Sequence, residues 1–373
     1  MKRLCIFVLY SPDAVLEDYK EYLIKSLKKC CDRFVIVVNG RFLEKERLHA
    51  LADDVICRGN EGFDAGAYKD VFTVYKDRIR PQDFGEILLT NDTVFGPLWS
   101  PEEIFERMES VSCDFWGLTR HPDYTAKDGR IIREHVQSWF LVLRSRLFLS
   151  EDFREFWENL PVFESVRGAV DGFEIAFSSA FTEKGYRSAV YTDETDGGFL
   201  REAAPANPST VYNYELITRC GIPFLKAKCF ILSTPGYEKV FDIIRWTKEN
   251  TAYPVRFLTE AIEAIDERQG TRVRIHYRKL DEFVKSHGRV FLFGTGDYGR
   301  RMKAYCDYRG FETAGFLTSN REDPSQEIFR LDTFEFLPDD GVILSLMREN
   351  ALAVAPAVED RVGRTNMYLP EYR

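Results

Sequence analysis

Two short stretches hold the residues best suited to chemistry. "RGNEGFDAGAYKD" spans 58–70, and "EILLTNDTVFGPL" spans 86–98. The first packs Asn60, Gly62, Asp64 and Gly66 into one short turn. Glycines there let the backbone bend sharply and come close to a ligand. Asp64, near a helix start, can accept from backbone N–H groups or from the ribose or base of a ligand. In the second stretch an apolar run stops on Asn91-Asp92. A carboxylate at the mouth of a strand is placed to hold a divalent cation bridging a diphosphate, with Asn91 and Thr93 adding oxygens or hydrogen bonds. Each stretch alone also reads as an ordinary turn, the first capping a helix, the second closing an Asp side chain on its own backbone.

Such residues act together only if the fold brings them together. "RLCIFVLY" (3–10) and "FVIVVNG" (34–40) are apolar throughout, as strands buried on both faces are. "DVICRGN" (54–60) and "EILLTND" (86–92) follow as strands. Helical spacing separates them: a helix opened by Ser11-Pro12, "EKERLHALA", and one from about Ala65 to Tyr75. Ser100-Pro101-Glu102-Glu103 forms a capping box for the next helix. This alternation predicts an α/β fold with a mostly parallel sheet covered by helices. Ligands of such sheets sit beyond the carboxyl ends of the strands. Tyr10, Asn39, Asn60, Asn91 and Asp92 all fall at those ends.

Further along, "DFWGLT" (114–119) and "HVQSWFLVLRS" (135–145) read as strands, and "DGFEIAFSSAFTEKG" (171–185) as a helix. Residues 193–211 read as a long loop of the kind that forms lids. The hydrophobic pattern restarts after about residue 255. The expected domains are therefore 1–255 and 256–373, the second a smaller Rossmann-like α/β unit.

Bulk composition narrows the classes. The chain has 373 residues, 45% hydrophobic and 30% charged, which suits large buried cores. A net charge of −9 argues against a nucleic-acid partner, which needs a basic surface. Eight cysteines without a CxxC pair read as free thiols of a reducing compartment. The apolar run near the N-terminus is short and lacks a cleavage site, so it reads as the first strand. No apolar run reaches the length of a membrane span.

Taken together, the two opening stretches are far more specific than either alone. A buried strand, an N-x-G-x-D-x-G-A turn, a helix and then a strand ending in an acid looks like the nucleotide-sugar half of a GT-A glycosyltransferase. The chain also resembles the rhamnan synthesis protein F family. "NEGFDAGAYKD", "ILLTNDTVFGPL", "DFWGLT", "HVQSWFLVLRS" and "GIPFLKAKCF" stand in the order that family has them, over roughly residues 1–235. The resemblance implies a GT-A-like fold and an inverting transfer of a sugar, rhamnose in the name-giving members. The donor would be a nucleotide sugar and the acceptor a growing, lipid-linked cell-surface polysaccharide. It implies a cytoplasmic enzyme that visits the inner face of the membrane. Many GT-A enzymes show Asp-x-Asp where this chain has Asn91-Asp92-Thr93 with one carboxylate. A divalent metal, Mg or Mn, is therefore expected at Asp92 without strong dependence on it.

The resemblance also distributes roles. Tyr10, Asn39, Asn60, Gly62, Asp64, Asn91 and Asp92 would hold the donor. It places the acceptor on the strand of His135, Gln137 and Trp139, with the indole stacking on a sugar face and the other two binding hydroxyls. Those side chains serve equally well as plain core. It places an acid as catalytic base in the helix that carries Glu174, the first choice, and Asp171, the second. Acids there also complement a helix dipole. Lys226 would approach the leaving diphosphate, or lie on a solvated strand face with Lys228.

Last, "FGTGDYG" gives Gly294, Gly296 and Gly299 between a strand and a helix, a full G-x-G-x-x-G. The next strand ends on Thr318-Ser319-Asn320, without the acid that holds a dinucleotide's ribose. NAD is accordingly not expected, and the loop reads as a phosphate site or a structural turn. Two other functions remain to be weighed. One is an NAD-dependent nucleotide-sugar epimerase or reductase, which would need that acid and a Tyr-x-x-x-Lys pair. The other is a non-catalytic sugar- or nucleotide-binding scaffold, consistent with the single carboxylate.

Overall fold

Period-two alternation explains why the first strand is apolar throughout. In β1 (Arg3–Tyr10), Cys5, Phe7 and Leu9 enter one core layer, and Leu4, Ile6 and Val8 enter the other. In β2 (Arg33–Asn39), Phe34, Ile36 and Val38 face the first layer, Val35 and Val37 the second. A strand between two cores has no solvent face on which to keep polar residues, so its polar groups are pushed to its ends.

The computed structural model describes residues 1–11, 14–42, 44–125, 129–202, 207–230, 239–268, 273–274 and 277–372. The chain divides into two compact units, Met1–Ala227 and Lys228–Arg373. In the first, β1 and β2 join β3 (Asp54–Arg58), β4 (Glu86–Asn91), β5 (Phe115–Gly117), β6 (Phe140–Arg144) and β7 (Ser188–Val190) in one seven-stranded sheet. Its order is β7-β5-β6-β4-β1-β2-β3. β1 pairs in parallel with β2 and β4, β2 with β3, and β5 with β7, while β6 runs antiparallel to both of its neighbours. Helices α1 (Asp18–Lys28), α2 (Lys45–Leu51), α3 (Phe63–Thr73), α4 (Glu102–Glu109) and α5 (Glu151–Asn159) alternate with or follow the strands. This is the expected mostly parallel α/β sheet covered by helices.

Four details differ from the expectation. Helix α1 begins at Asp18, not at Ser11, and Pro12 lies outside the described residues. The run 135–145 is two strands, not one. His135–Val136 forms a ribbon with Arg120–His121, the chain turns at Ser138, and β6 follows. The helix expected over 171–185 starts earlier, as Val166–Ala169, passes through a π-helical segment, Val170–Ile175, and continues as α6 (Ala176–Glu183). π-Segments are frequent at functional sites, because the extra residue in the turn re-aims side chains. Part of the expected long loop is helical, at Phe199–Glu202 and Pro208–Val211, and its residues 203–206 lie outside the described ones.

The second unit holds a five-stranded, wholly parallel sheet. Its strands are β8 (Arg289–Phe293), β9 (Gly315–Thr318), β10 (Ile328–Arg330), β11 (Asp340–Leu344) and β12 (Met367–Tyr368), in the order β10-β9-β8-β11-β12. Helix α7 (Asp297–Arg309) follows β8, and α8 (Arg348–Val362) follows β11. No described helix is long and apolar enough to cross a membrane.

Candidate active site

Strand register sets the site. Tyr10 of β1 pairs with Asn39 of β2, Asn39 with Arg58 of β3, and Val8 with Asn91 of β4. The candidate donor residues therefore lie side by side along one edge of the sheet, at its carboxyl ends.

The glycine turn is built to be tight. Gly62 has φ +71° at the start of α3, a conformation that L side chains rarely adopt. A Cβ on Gly66 would stand 2.3 Å from the carbonyl oxygen of Glu61. Arg58 braces this turn. Its guanidinium donates to the Glu61 carbonyl (2.6 Å), to Asp70 Oδ2 (2.6 Å) and to Asn39 Oδ1 (2.8 Å). The Asn60 carbonyl accepts from the N–H of Phe63 at 3.2 Å. The turn delivers Asp64 to the carboxyl end of β4.

There a polar chain crosses the sheet edge. Lys226 Nζ donates to Thr93 Oγ1 (2.6 Å), Thr93 Oγ1 donates to Asn91 Oδ1 (2.5 Å), and Asn91 Nδ2 donates to Asp64 Oδ2 (2.6 Å). Each donor hands its polarity to the next, from an ammonium to a carboxylate. Lys226 is held by a short ribbon, Leu225–Lys226 against Val94–Phe95, and stands 5.4 Å from the centre of the Trp139 ring. The Asp64 carboxyl is pushed up to about 6, by burial first and then by the nearby Asp92, against the opposing pull of Asn91 and Lys226. It keeps a partly exposed edge within the cleft.

Asp92 is buried and already partnered. Its Oδ2 accepts from Lys20 Nζ at 2.6 Å and from the N–H of Tyr10 at 3.1 Å. Lys20 also reaches Glu17 Oε2 (3.1 Å) and the Tyr10 carbonyl (2.7 Å). Its ammonium donates to Asp92 and the Tyr10 carbonyl, with the Glu17 carboxylate as a further ion-pair partner. Burial alone would lower its pKa, but Asp92, Tyr19 and Glu17 hold it above the ordinary value. A cation at Asp92 would share one carboxylate with a buried ammonium. Among the described residues no three of His, Cys, Asp or Glu gather as a metal-holding group. The residues present thus do not by themselves fit a protein-held divalent ion.

Glu174 sits in the π-helical segment. Its Oε2 accepts from the N–H (2.9 Å) and the hydroxyl (2.6 Å) of Ser138, and its Oε1 lies 3.7 Å from His135 Nε2. Burial pushes the carboxyl up, yet His135 and the two Ser138 bonds outweigh it and hold the pKa at about 2. Glu174 is near enough to Asp64 to raise that residue's pKa. Asp171, one turn earlier, is tied to Arg130 (3.0 Å) and Arg167 (3.0 Å) in a surface cluster.

The acceptor-side trio is more enclosed than a contact surface would be. His135 is buried, its Nδ1 against the Arg133 carbonyl (2.8 Å) and its ring stacked on His121 at 5.3 Å. Gln137 is spent inside the protein, accepting from Thr119 (2.7 Å) and donating to Asn207 (3.1 Å). Trp139 is buried, and among the described residues its indole N–H has no hydrogen-bond partner.

Sequence reasoning missed Lys20, Arg58 and Ser138. Lys20 left a trace. It falls between Leu16 and Leu23, Ile24 and Leu27 on the buried stripe of α1, where a lysine needs a partner. Gly294 and Gly296 lie in the second unit on the β8–α7 turn, and Gly299 in the first turn of α7.

Comparisons with known proteins agree with the sequence motifs. The family model described as rhamnan synthesis protein F matches residues 34–293, well over half of the chain. A relative, the uncharacterized protein y4gN of Sinorhizobium fredii, is 26% identical over 195 residues. These make up 51% of this chain and 49% of that protein, so the chain spans about half the length of the curated relative it matches. Among solved structures, core-mannan synthase A of Aspergillus fumigatus, in its Mn/GDP form, aligns at 9% identity with a TM-score of 0.30, over 51% of this chain and 73% of its own. CMP:2-keto-3-deoxy-manno-octonic acid synthetase complexed with CTP aligns at 10% identity with a TM-score of 0.31, over 51% and 90%. Likeness at that level says nothing of chemistry.

Proposed function

The chain belongs to the rhamnan synthesis protein F family, and from that premise we propose that its N-terminal unit is a glycosyltransferase, moving a sugar from a nucleotide-sugar donor to a growing cell-surface polysaccharide. One observation carries this reading: the Lys226–Thr93–Asn91–Asp64 chain lies across the carboxyl ends of the sheet, with Asp92 and Glu174 beside it. In this reading the donor's nucleoside lies over Tyr10, Asn39, Asn60, Gly62 and Asp64. Its diphosphate meets Lys226, whose charge stabilises the leaving group as the anomeric C–O bond breaks. Asp92 orders the strand end through Lys20 and Tyr10, and a cation is not required. Glu174 takes the proton of the acceptor hydroxyl as it attacks from the opposite face, which inverts the anomeric centre. His135 and Trp139 shape the wall behind it, and Gln137 supports that wall through Thr119 and Asn207. The family's name favours rhamnose as the sugar. A lipid-linked acceptor would bring this cytoplasmic enzyme to the inner membrane face.

A second reading rests on the pKa values. Glu174 at about 2 is a weak base, whereas Asp64 at about 6 is near the optimum for one. The pH profile of turnover with dTDP-rhamnose, UDP-glucose and GDP-mannose as donors separates the two. Glu174→Gln is expected to lower kcat by about 10²–10⁴-fold, the usual range for a lost general base. An acidic limb near pH 6 that disappears in Asp64→Asn would transfer the base role to Asp64. Unchanged turnover in both variants would overturn both base assignments, and no turnover by the wild type with any of the three donors would leave a sugar- or nucleotide-binding scaffold.

A further inference from the structure

The second unit carries its own cleft, at the place where its sheet order turns. From β8 the chain steps outward to β9 and β10, then returns to the other side of β8 as β11. The crevice beyond the carboxyl ends of strands at such a switch point is where open α/β sheets take ligands. Here it is a cavity of about 390 Å³, walled by Gly294 and Thr295 after β8, by Thr318 to Arg321 after β9, and by Leu346 and Asn350 after β11. The family match ends at residue 293, so every lining residue except Phe293 lies beyond it.

The three glycines of the β8–α7 turn differ in what demands them. Gly294 has φ +110°, and a Cβ there would stand 2.6 Å from the Leu346 side chain. A Cβ on Gly299 would stand 1.9 Å from the Gly294 carbonyl oxygen. The fold therefore requires both. Gly296 is different. Its backbone, φ −78° and ψ −163°, suits any residue, and a Cβ there would meet nothing within 4 Å. Among the described residues no atom demands a glycine at this position, which leaves bare backbone at the start of a thirteen-residue helix, next to Thr295 in the cavity wall. Bare backbone at that point admits a phosphate to the helix N–H groups. Asp297, in the first turn, is neutralised by Arg300.

The opposite wall fixes the rest of the ligand. It offers the Ser319 hydroxyl, the Asn320 amide and the guanidinium of Arg321, while the Thr318 hydroxyl closes the turn on the backbone of Arg321. Among the described residues none that lines the cavity is a carboxylate, so the group that grips a dinucleotide's ribose diol is not on its wall. The Arg321 side chain lies 3.3 Å from Gln326 Oε1 and pairs with Asp323 Oδ2 at 3.5 Å, and its head is half-exposed. The volume lies at the small end for a ligand pocket. We propose that this cleft is a second ligand site that takes a nucleoside diphosphate, its phosphates over Gly296 and its nucleoside along Thr318–Arg321.

The test is calorimetric titration of the full chain with ADP, GDP, UDP and dTDP, with NADPH and inorganic pyrophosphate run alongside. Two variants separate this site from any nucleotide bound by the N-terminal unit. Gly296→Asp supplies a good helix cap while placing a negative charge where the phosphate belongs. Arg321→Glu changes an exposed side chain on the far rim. The expected result is a binding event with at least one diphosphate that weakens at least about tenfold in both variants, while the ligand-free melting temperature stays unchanged. Binding to the N-terminal unit would persist in both variants and so register separately. Identical isotherms in wild type and variants for all four diphosphates would overturn the proposal. So would variant-sensitive binding of NADPH or pyrophosphate alone.

Discussion

Two sheet edges in this chain use the same geometry with opposite chemistry. At the N-terminal edge, Lys226, Asp64, Asp92, Lys20 and Glu174 are all charged or titratable, and each has a named partner. At the C-terminal edge the cavity wall, among the described residues, has one cation and no carboxylate, and mixes hydroxyl, amide and glycine positions with apolar Phe293, Leu346, Ala353 and Val354. The first arrangement holds charge in preset positions, which is what stabilising a changing charge distribution requires. The second offers neutral donors and open space, which suits holding a ligand without changing it. A βα turn rich in glycine therefore does not by itself say whether a site does chemistry. What the strand ends add beside the turn says so.

The comparison breaks first at Lys20. If the N-terminal edge depends on preset charge, Lys20→Met should be costly. It would leave Asp92 buried beside a lost ammonium, and Glu17 and the Tyr10 carbonyl without their shared donor. Removing one partner of a buried ion pair typically costs about 3–5 kcal/mol. Urea unfolding should show that loss. The double variant Lys20→Met/Asp92→Asn should recover much of it, because no bare charge remains. A single-variant cost below about 1 kcal/mol would place the pair among ordinary surface ion pairs.

The glycines sharpen the comparison at the next level. Gly66→Ala and Gly299→Ala force a Cβ to 2.3 Å and 1.9 Å from a backbone oxygen. Each should cost about 2–4 kcal/mol, as overpacking against unyielding backbone does. Gly296→Ser should stay within about 0.5 kcal/mol, since its surroundings are open and serine caps helices well. Thermal melts of the three variants read this directly. Equal losses at all three positions would mean that Gly296 is structural after all.

Much of this was legible in the sequence, and what was not has physical causes. β1 to β4 announced themselves because strands buried on both faces must be apolar throughout. The turn at Asn60–Gly66 announced itself through glycines that nothing else could replace. The break after Val136 did not, because it is made by distant partners. Ser178 Oγ accepts from the Val136 N–H (3.0 Å), and Glu174 takes both donors of Ser138. A run of β-formers looks continuous until those contacts interrupt it. The enclosure of Gln137 was equally hidden, since Thr119 and Asn207 lie 18 and 70 residues away in sequence. Lys20 could have been suspected from its place on an apolar stripe, but its partner Asp92 comes 72 residues later (92 − 20).

The smallest effect tests the electrostatics of the N-terminal edge most directly. Asp64 has a folded pKa of about 6, above its ordinary value of 3.8. Its charged form is thus disfavoured by folding. The cost is fully present above pH 6, fades as pH falls from 6 through 4, and is gone only below about pH 3, where folded and unfolded forms both bind the proton. Asp64→Asn keeps an oxygen for Asn91 Nδ2 and removes the charge beside Asp92. The variant should therefore be more stable than wild type at pH 8, by about 1–2 kcal/mol after allowing for the carboxyl's exposed edge. That corresponds to roughly 2–6 °C in melting temperature for a unit of this size. The advantage should shrink through pH 6 and vanish below about pH 3. An advantage that stayed constant with pH would mean that Asp64 titrates like a surface acid. The N-terminal edge would then hold less preset charge than its geometry implies, and the contrast with the C-terminal cleft would rest on Lys20 and Asp92 alone.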